Sequence, residues 1–316
     1  METQRRRSEF GLRWQLLVLL LLAGLSLLFG STTHLTLPVF LHVRLPRMLG
    51  SLLAGSALAV AGMILQTVLA NPLASPNILG IQSGAGLMTV LCAALFPTAF
   101  GLRIPASFLG AFLASMLVLF LARKVRASRS TIVLAGLAVS QIFSAGIDLI
   151  LTLAPDSLTG YTDFRIGSLA GTTLNRLMVP GLCIVAGLLV ALLCARQLEL
   201  LSLGQRQAQC AGLDVNRWMP GFLALASLLA GAVISFTGMI GFVGLIVPHM
   251  VRRLCPGPLM KQLVSCLVLG PAFLLLADLL GRTLAAPYEI PAGILLTLAG
   301  GPYFLWLLLK GKGHGA

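Results

Sequence analysis

The sequence predicts an all-α polytopic membrane protein of about ten transmembrane helices. Three observations predict it. Of the 316 residues, 58% are hydrophobic and 10% are charged, whereas a soluble domain is about half apolar and about a quarter charged. The apolar residues gather in continuous runs close to the roughly 20 residues that a helix needs to cross the hydrocarbon core. The basic residues sit in the short segments between those runs, where a membrane topology places them. Strand-length alternation is absent, which excludes a membrane barrel.

The elements follow in order. METQRRRSEFGLRW opens the chain, and apolar residues continue to about Gly30. A basic start before an apolar run fits a signal peptide, but this run is long and no small-x-small cleavage site follows. It reads as an uncleaved first span, preceded by a cytoplasmic segment at 1–13. Further apolar runs lie at about 47–69, 78–97, 104–123, 131–153, 177–194, 218–236, 263–281 and 292–309, with a shorter one at 241–251. In span two, Ser51, Gly55 and Ala59 stand four apart and leave one helix face nearly bare. Small residues at that spacing let helices approach closely in lipid. The NPLASPN stretch, Asn71 to Asn77, has two prolines that break helix between spans two and three. Gly238, Gly241, Gly244 and Pro248 make span eight short and kinked. Glu289 precedes the last span, where a carboxylate is favourable at a helix N-terminus.

Charge sets the orientation. With the N-terminus inside and strict alternation, the inner segments hold Arg5, Arg6, Arg7 and Arg13; Arg123, Lys124, Arg126 and Arg129; Arg196, Arg206 and Arg217; Arg252, Arg253 and Lys261; Lys310 and Lys312. The outer segments hold only Arg44, Arg47, Arg103, Arg165, Arg176 and Arg282. The bias puts both termini in the cytoplasm. Omitting the short eighth span would send the basic C-terminus outside, so that span counts. The net charge of +13 is therefore topological, and no basic patch interleaved with exposed aromatics points to nucleic acid. The six cysteines form no C-x-x-C pair, which argues against disulfides and against a metal site.

Ionisable residues inside the spans are candidates for function, because they are costly there. They are Asp148 in span five, His249 at the inner end of span eight and Asp278 near the outer end of span nine. Asp278 and Arg282 stand four apart, a spacing for a local ion pair. Asp148 either lines a polar path or bonds to a neighbouring helix. An intramembrane protease is poorly supported. Neither aspartate has a G-x-G-D context, Ser83 in GIQSG is one residue off G-x-S-G, and H-E-x-x-H is absent. No catalytic residue is assigned. An ion-coupled secondary carrier is the alternative, resting on one buried carboxylate. No P-loop G-x-x-x-x-G-K-[ST] occurs, so any ATPase is a separate polypeptide.

One polar stretch stands out. ELLSLGQRQAQCAGLDVNRW, Glu199 to Trp218, places Gln205, Arg206, Gln207, Gln209, Asp214, Asn216 and Arg217 between two spans on the inner side. Gln205 to Ala211 reads as a short helix that Gly212 stops. Asp214 can cap the helix that follows.

RLPRMLGSLLAGSALAVAGMILQTVLANPLASPNILGIQSGAG (Arg44 to Gly86), GFVGLIVPHMVRRL (Gly241 to Leu254) and EIPAGILLTLAGGPYFLWLL (Glu289 to Leu308) together resemble the FecCD family. These are ABC-transporter permeases that import iron–siderophores, haem and vitamin B12. The resemblance runs from about residue 15 to 310. It implies the type II ABC importer permease fold, in one transmembrane domain over 1–316, in a bacterial or archaeal plasma membrane. It implies that the loop at 196–217 docks in a cleft of the ATPase. The pattern L-G-x-x-x-A-x-x-L-G is met by Leu203, Gly204, Ala208 and Gly212, with Gln205, Arg206, Leu213 and Asp214 beside them. Cys210 and Ala211 depart around the usual leucine. Arg44, Arg47 and Arg282 match outward-facing arginines that meet acidic residues of a binding protein, a pairing guanidinium geometry favours. Ser128, Arg129 and Ser130 match the neighbourhood of a cytoplasmic gate, although Arg129 is larger than expected there. Gly241, Gly244 and Pro248 suit a mobile pathway helix. The partners implied are a second permease copy, two ATPase subunits that hold ATP and magnesium, an extracytoplasmic binding protein and membrane lipid. No cofactor or metal is implied on this chain.

Overall fold

A computed structural model describes residues 2–30, 36–124 and 129–311, with side chains described for 11–30, 36–99, 101–121 and 131–305. Among the described residues the chain is helical throughout its regular structure. In order the helices are α1 (Glu2–Leu28), α2 (Leu37–Val39), α3 (Leu45–Val68), α4 (Ile81–Leu95), α5 (Arg103–Lys124), α6 (Arg129–Leu153), α7 (Leu158–Ile166), α8 (Leu174–Leu193), α9 (Ala195–Ser202), α10 (Gln205–Cys210), α11 (Val215–Thr237), α12 (Val243–Leu254), α13 (Leu259–Thr283) and α14 (Ala292–Gly311). A π-helical turn, Phe40–Arg44, joins α2 to α3. Each of the ten apolar runs falls on one of these helices. Among the described residues, seven are long and apolar enough to span a membrane. α4 and α12 are shorter, with 15 and 12 residues.

α3 is the spine of the bundle. Nearly its whole length from Ala54 to Val68 is buried, and it packs on α8, α11, α12 and α13. Its small-residue stripe explains the closeness. A Cβ on Gly55 would stand 2.5 Å from the Pro271 nitrogen, and one on Gly270 would stand 2.8 Å from the Ala59 Cβ. The stripe expected from spacing therefore faces α13, and backbone meets backbone there. The stripe continues on another face, where a Cβ on Gly62 would overlap the Gly244 carbonyl of α12.

The two short helices have one geometric cause. α12 begins beside Leu58 and Gly62, near the middle of α3. The segment after α3 also turns back to that level, because Pro76 lies against Gly244. The NPLASPN stretch is therefore more than a surface turn: it re-enters the bundle, and α4 starts from its end. Asn71 shapes the entry, accepting from the Leu73 N–H on its side chain at 2.9 Å and from the Ala74 N–H on its carbonyl at 3.0 Å. Ala74, Pro76 and Leu79 are buried. Irregular backbone is tolerated at membrane depth only where protein covers it. At 1.5 Å per residue α12 spans about 18 Å, little more than half of a roughly 30 Å core. Gln66 of α3 bridges the gap by donating its amide to the carbonyls of Gly244 and Leu245, each at 3.3 Å.

The outer surface is apolar on α1, α6 and α8, where leucines such as Leu20, Leu149 and Leu182 are exposed. This suits a chain whose solvent is hydrocarbon. The packing at Gly62 leaves no room for a methyl group. Gly62→Ala is expected to push α12 away from α3 at a cost of about 1–3 kcal/mol. A thermal unfolding scan of the purified protein in mild detergent checks this, with Gly24→Ala on α1, where nothing lies within 4 Å, as the neutral control.

Candidate functional site

Two regions carry the polar chemistry, one at each end of the bundle. At the first, α3 begins, α1 ends and α13 ends. Asp278 of α13 has a fully buried side chain. Arg47 holds it from α3 through Nε at 3.0 Å and Nη2 at 2.9 Å. Arg282, one turn further along α13, holds the other oxygen at 3.1 Å. Arg47 also donates from Nη1 to Glu289, at 2.7 Å. The pair expected from the Asp278–Arg282 spacing is present, and Arg47 makes it a network.

The same arginines close the end of α1. The last carbonyls of a helix lack intrahelical donors and carry its negative pole. Arg44 Nη1 donates to the carbonyl of Leu27 at 2.9 Å and to that of Leu28. Arg282 donates to the carbonyl of Ser26 at 3.3 Å and to its hydroxyl at 2.7 Å. α1, α3, α13 and the segment before α14 are thus tied by one charged cluster. Arg44, Arg47 and Arg282, expected to face outward and meet a binding protein, all lie in this cluster. Arg44, Arg47 and Arg282 are 3%, 5% and 2% exposed, and their guanidinium groups are spent on carboxylates and carbonyls of their own chain. Ser26 and Glu289 are members that sequence reasoning did not assign to this cluster. Glu289 was legible as a helix-start carboxylate, whereas a lone serine late in an apolar run carries no signal.

At the opposite end lies the polar stretch. α8 runs into α9, and Gly204, at φ +109°, turns the chain into α10. Ala208 is fully buried and Leu213 nearly so, which pins α10 against the bundle. Leu203, Gln205, Arg206, Gly212 and Asp214 are exposed. Gly212, at φ +84°, ends α10. Its N–H donates to the Gln209 carbonyl at 2.9 Å, and the Leu213 N–H donates to that of Ala208 at 3.0 Å. This double closure needs the left-handed conformation that glycine adopts without strain. Asp214 then caps α11 by accepting from the Asn216 N–H at 3.1 Å. Both local readings of the sequence, the glycine stop and the aspartate cap, are found. The result is a small helix with a polar face presented outward on a fixed apolar footing.

The remaining expected residues are scattered. Asp148 is exposed on α6, and it stands apart from the Asp278 cluster in burial and in partners, so the two aspartates share no site. Gln141, Ser144 and Thr152 are exposed with it, at helical spacing on one face. Gly244 and Pro248 are buried in the packing of α12, and Gly241 lies just before that helix. Ser128 lies outside the described residues, and nothing is described of the Arg129 and Ser130 side chains at the start of α6. Among the described residues, no group of three or more His, Cys, Asp or Glu could hold a metal ion. The six cysteines are free.

Comparison with known proteins places this architecture. A family model described as the FecCD transport family matches residues 12–310. The chain is 37% identical over 286 residues to the hemin transport system permease protein HmuU of Yersinia pestis, covering 89% of this chain and 86% of the relative. It is 38% identical over 268 residues to the Fe(3+)-citrate import system permease protein YfmE of Bacillus subtilis, covering 84% and 80%. Among solved structures, a transporter described as of metal-chelate ABC type, in an inward-facing conformation, superposes with a TM-score of 0.87 at 29% identity over 95% of this chain and 98% of the other. PsaBC from Streptococcus pneumoniae shares the fold at a TM-score of 0.61 and 17% identity, over 83% of this chain and 89% of that one.

Removing one partner from a buried ion pair leaves an uncompensated charge, at about 3–5 kcal/mol. Asp278→Asn, which takes the only carboxylate described on Arg282 and leaves Arg47 with Glu289 alone, is expected to lower the midpoint of thermal unfolding sharply. Arg217→Ala, which breaks the exposed pair to Asp214, is expected to change it little. Differential scanning fluorimetry on both variants reads the contrast.

Proposed function

The chain belongs to the FecCD transport family, and from that premise we propose that it is the membrane permease subunit of an ATP-driven importer. The cargo is an iron chelate, haem or a cobalamin, delivered by an extracytoplasmic binding protein and released into the cytoplasm. The named cargoes of similar permeases, hemin and ferric citrate, support that class. The chain itself performs no covalent chemistry. Its sequence holds no P-loop, so ATP and magnesium belong to a separate ATPase subunit. The protein sits in the plasma membrane with both termini inside, as the basic segments require.

The observation that carries this reading is the loop helix α10. This six-residue helix shows a polar, exposed face, while Ala208, Leu213 and the Gly212 closure seat it on the bundle. A rigid projection transmits force, whereas a flexible one dissipates it. We assign it to the cleft of an ATPase, where a shift of the partner turns α9 and, through it, α8. The residues in contact are Leu203, Gly204, Gln205, Arg206 and Asp214, with Ala208, Gly212 and Leu213 as the footing.

A second copy of the permease is assigned to the exposed face of α6. Gln141, Ser144, Asp148 and Thr152 make a polar stripe there. A carboxylate facing lipid is costly. Pairing of two chains over this face removes the stripe from lipid and leaves it lining a path between the copies. Opposite this, the binding protein meets the end that carries α7. With Arg44, Arg47 and Arg282 buried, Arg165 of α7, which is exposed, offers charge for steering.

Two experiments test these assignments. Gln205→Glu with Arg206→Glu changes only exposed residues and is expected to weaken binding of the ATPase subunit at least about tenfold, some 1.4 kcal/mol, with the thermal midpoint retained. Co-elution at unchanged affinity would remove α10 from the interface. Asp148→Cys, in a chain whose native cysteines are replaced by alanine, is expected to give a copy-to-copy disulfide in membranes under mild oxidation. A chain that stays monomeric under those conditions rules out α6 as the pairing face.

A further inference from the structure

At the end that carries the arginine cluster, α5 and α8 stand apart. Both pack on α11, and between them lies a crevice of about 380 Å³. We propose that this crevice binds a phospholipid, with one acyl chain between the helices and the phosphate on Arg176. The proposal is independent of the importer reading and needs only that the chain spans a membrane.

The lining residues explain the space. Gly101 and Pro105 stand at the start of α5 and Pro180 within α8, so short side chains and rings face the gap where long ones would fill it. Proline also has no N–H to donate to the carbonyl four residues back, which here is that of Arg176. The walls are apolar, with Phe108 on one side and Val179 and Cys183 on the other. The hydroxyl of Ser235 on the floor is already spent, donating to the Ala232 carbonyl at 2.7 Å. A polar cargo would find no partner inside. An apolar chain would restore the dispersion contacts that an empty gap forfeits.

The depth fits one leaflet. From Asn175 to Cys183 is eight residues of α8, about 12 Å at 1.5 Å per residue. Half of the hydrocarbon core is about 15 Å. Exposed Leu109 and Leu113 of α5 and exposed Val179 and Leu182 of α8 continue the apolar outer surface of the same two helices.

The mouth fits a phosphate. Arg176 and Asn175 line the crevice at the N-terminal turn of α8. Arg176 is exposed and gives Nη1 to the Gly171 carbonyl at 3.2 Å, which holds the guanidinium over the opening with further donors to spare. The N-cap, Thr173, makes no side-chain cap bond, so first-turn N–H groups and the positive helix end point the same way. Charge at the mouth and apolar walls below describe an anionic headgroup on a hydrocarbon tail.

Cys183 makes a native reporter of the crevice. The test is maleimide labelling of Cys183 in the delipidated wild-type protein, read by mass spectrometry of its peptide, with palmitoyl-oleoyl-phosphatidylglycerol added back. Protection by this lipid at about one molecule per chain is expected, with inorganic phosphate alone giving none. In native mass spectrometry, Val179→Phe and Cys183→Trp are expected to lose the retained lipid, and Arg176→Glu to weaken it at least tenfold. Labelling unchanged by lipid, or equal lipid retention by all variants, would overturn the proposal. Protection by phosphate alone, or only when chains are crosslinked into a pair, would overturn it as well, since the crevice would then be an anion site or a contact between copies.

Discussion

A carboxylate with no access to water, held between two guanidinium groups, anchors one end of this permease. Asp278 has no exposure of its own, and Arg47 and Arg282 leave it no unpaired charge. Everything around it is set by the need to satisfy that group. Arg47 fixes where α3 starts relative to α13. Arg282 and Arg44 reach on to the open carbonyls of α1, and Glu289 brings in the segment before α14. Buried ion pairs are weak sources of net stability but are intolerant of losing a partner. Their effect here is to specify one arrangement of four segments whose apolar faces alone would pack in several.

From that fixed end, close backbone packing carries the arrangement inward. α3 meets α13 at Gly55 and Gly270, and meets α12 at Gly62 and Gly244. Lipid gives no hydrophobic drive for helices to associate, so tight van der Waals contact between small residues has to supply it. The same closeness lets two helices begin at mid-depth. The re-entrant segment around Pro76 and the start of α12 sit together, and the amide of Gln66 donates to the Gly244 and Leu245 carbonyls there. Broken helices near the middle of a bundle are where transporters place the parts that change. α12 is short and packs on both α3 and α13.

The two ends of the bundle are made differently. The arginine end is an internal network with its charges consumed. The loop end displays its polar residues, while Ala208 and Leu213 hold them from below.

The sequence by itself determined the class and the ten apolar helices, with most of their boundaries to within a few residues, because a run of apolar residues is a direct statement of length against membrane thickness; the early start of α1 and the short helices α2, α7 and α9 carry no such run. It also determined local backbone events, such as the stop at Gly212, the cap at Asp214 and the i, i+4 pair of Asp278 and Arg282, since each depends on neighbours in the chain. Three long motifs in order determined the family. Only the tertiary structure decided which way Arg44, Arg47 and Arg282 point, because burial depends on helices far apart in sequence. It alone joined Ser26 and Glu289 to them, turned the NPLASPN stretch into the bundle, and left a gap between α5 and α8 that no one helix records. Local signals are written in adjacent residues, whereas a side chain's surroundings are written in whichever helices pack against it.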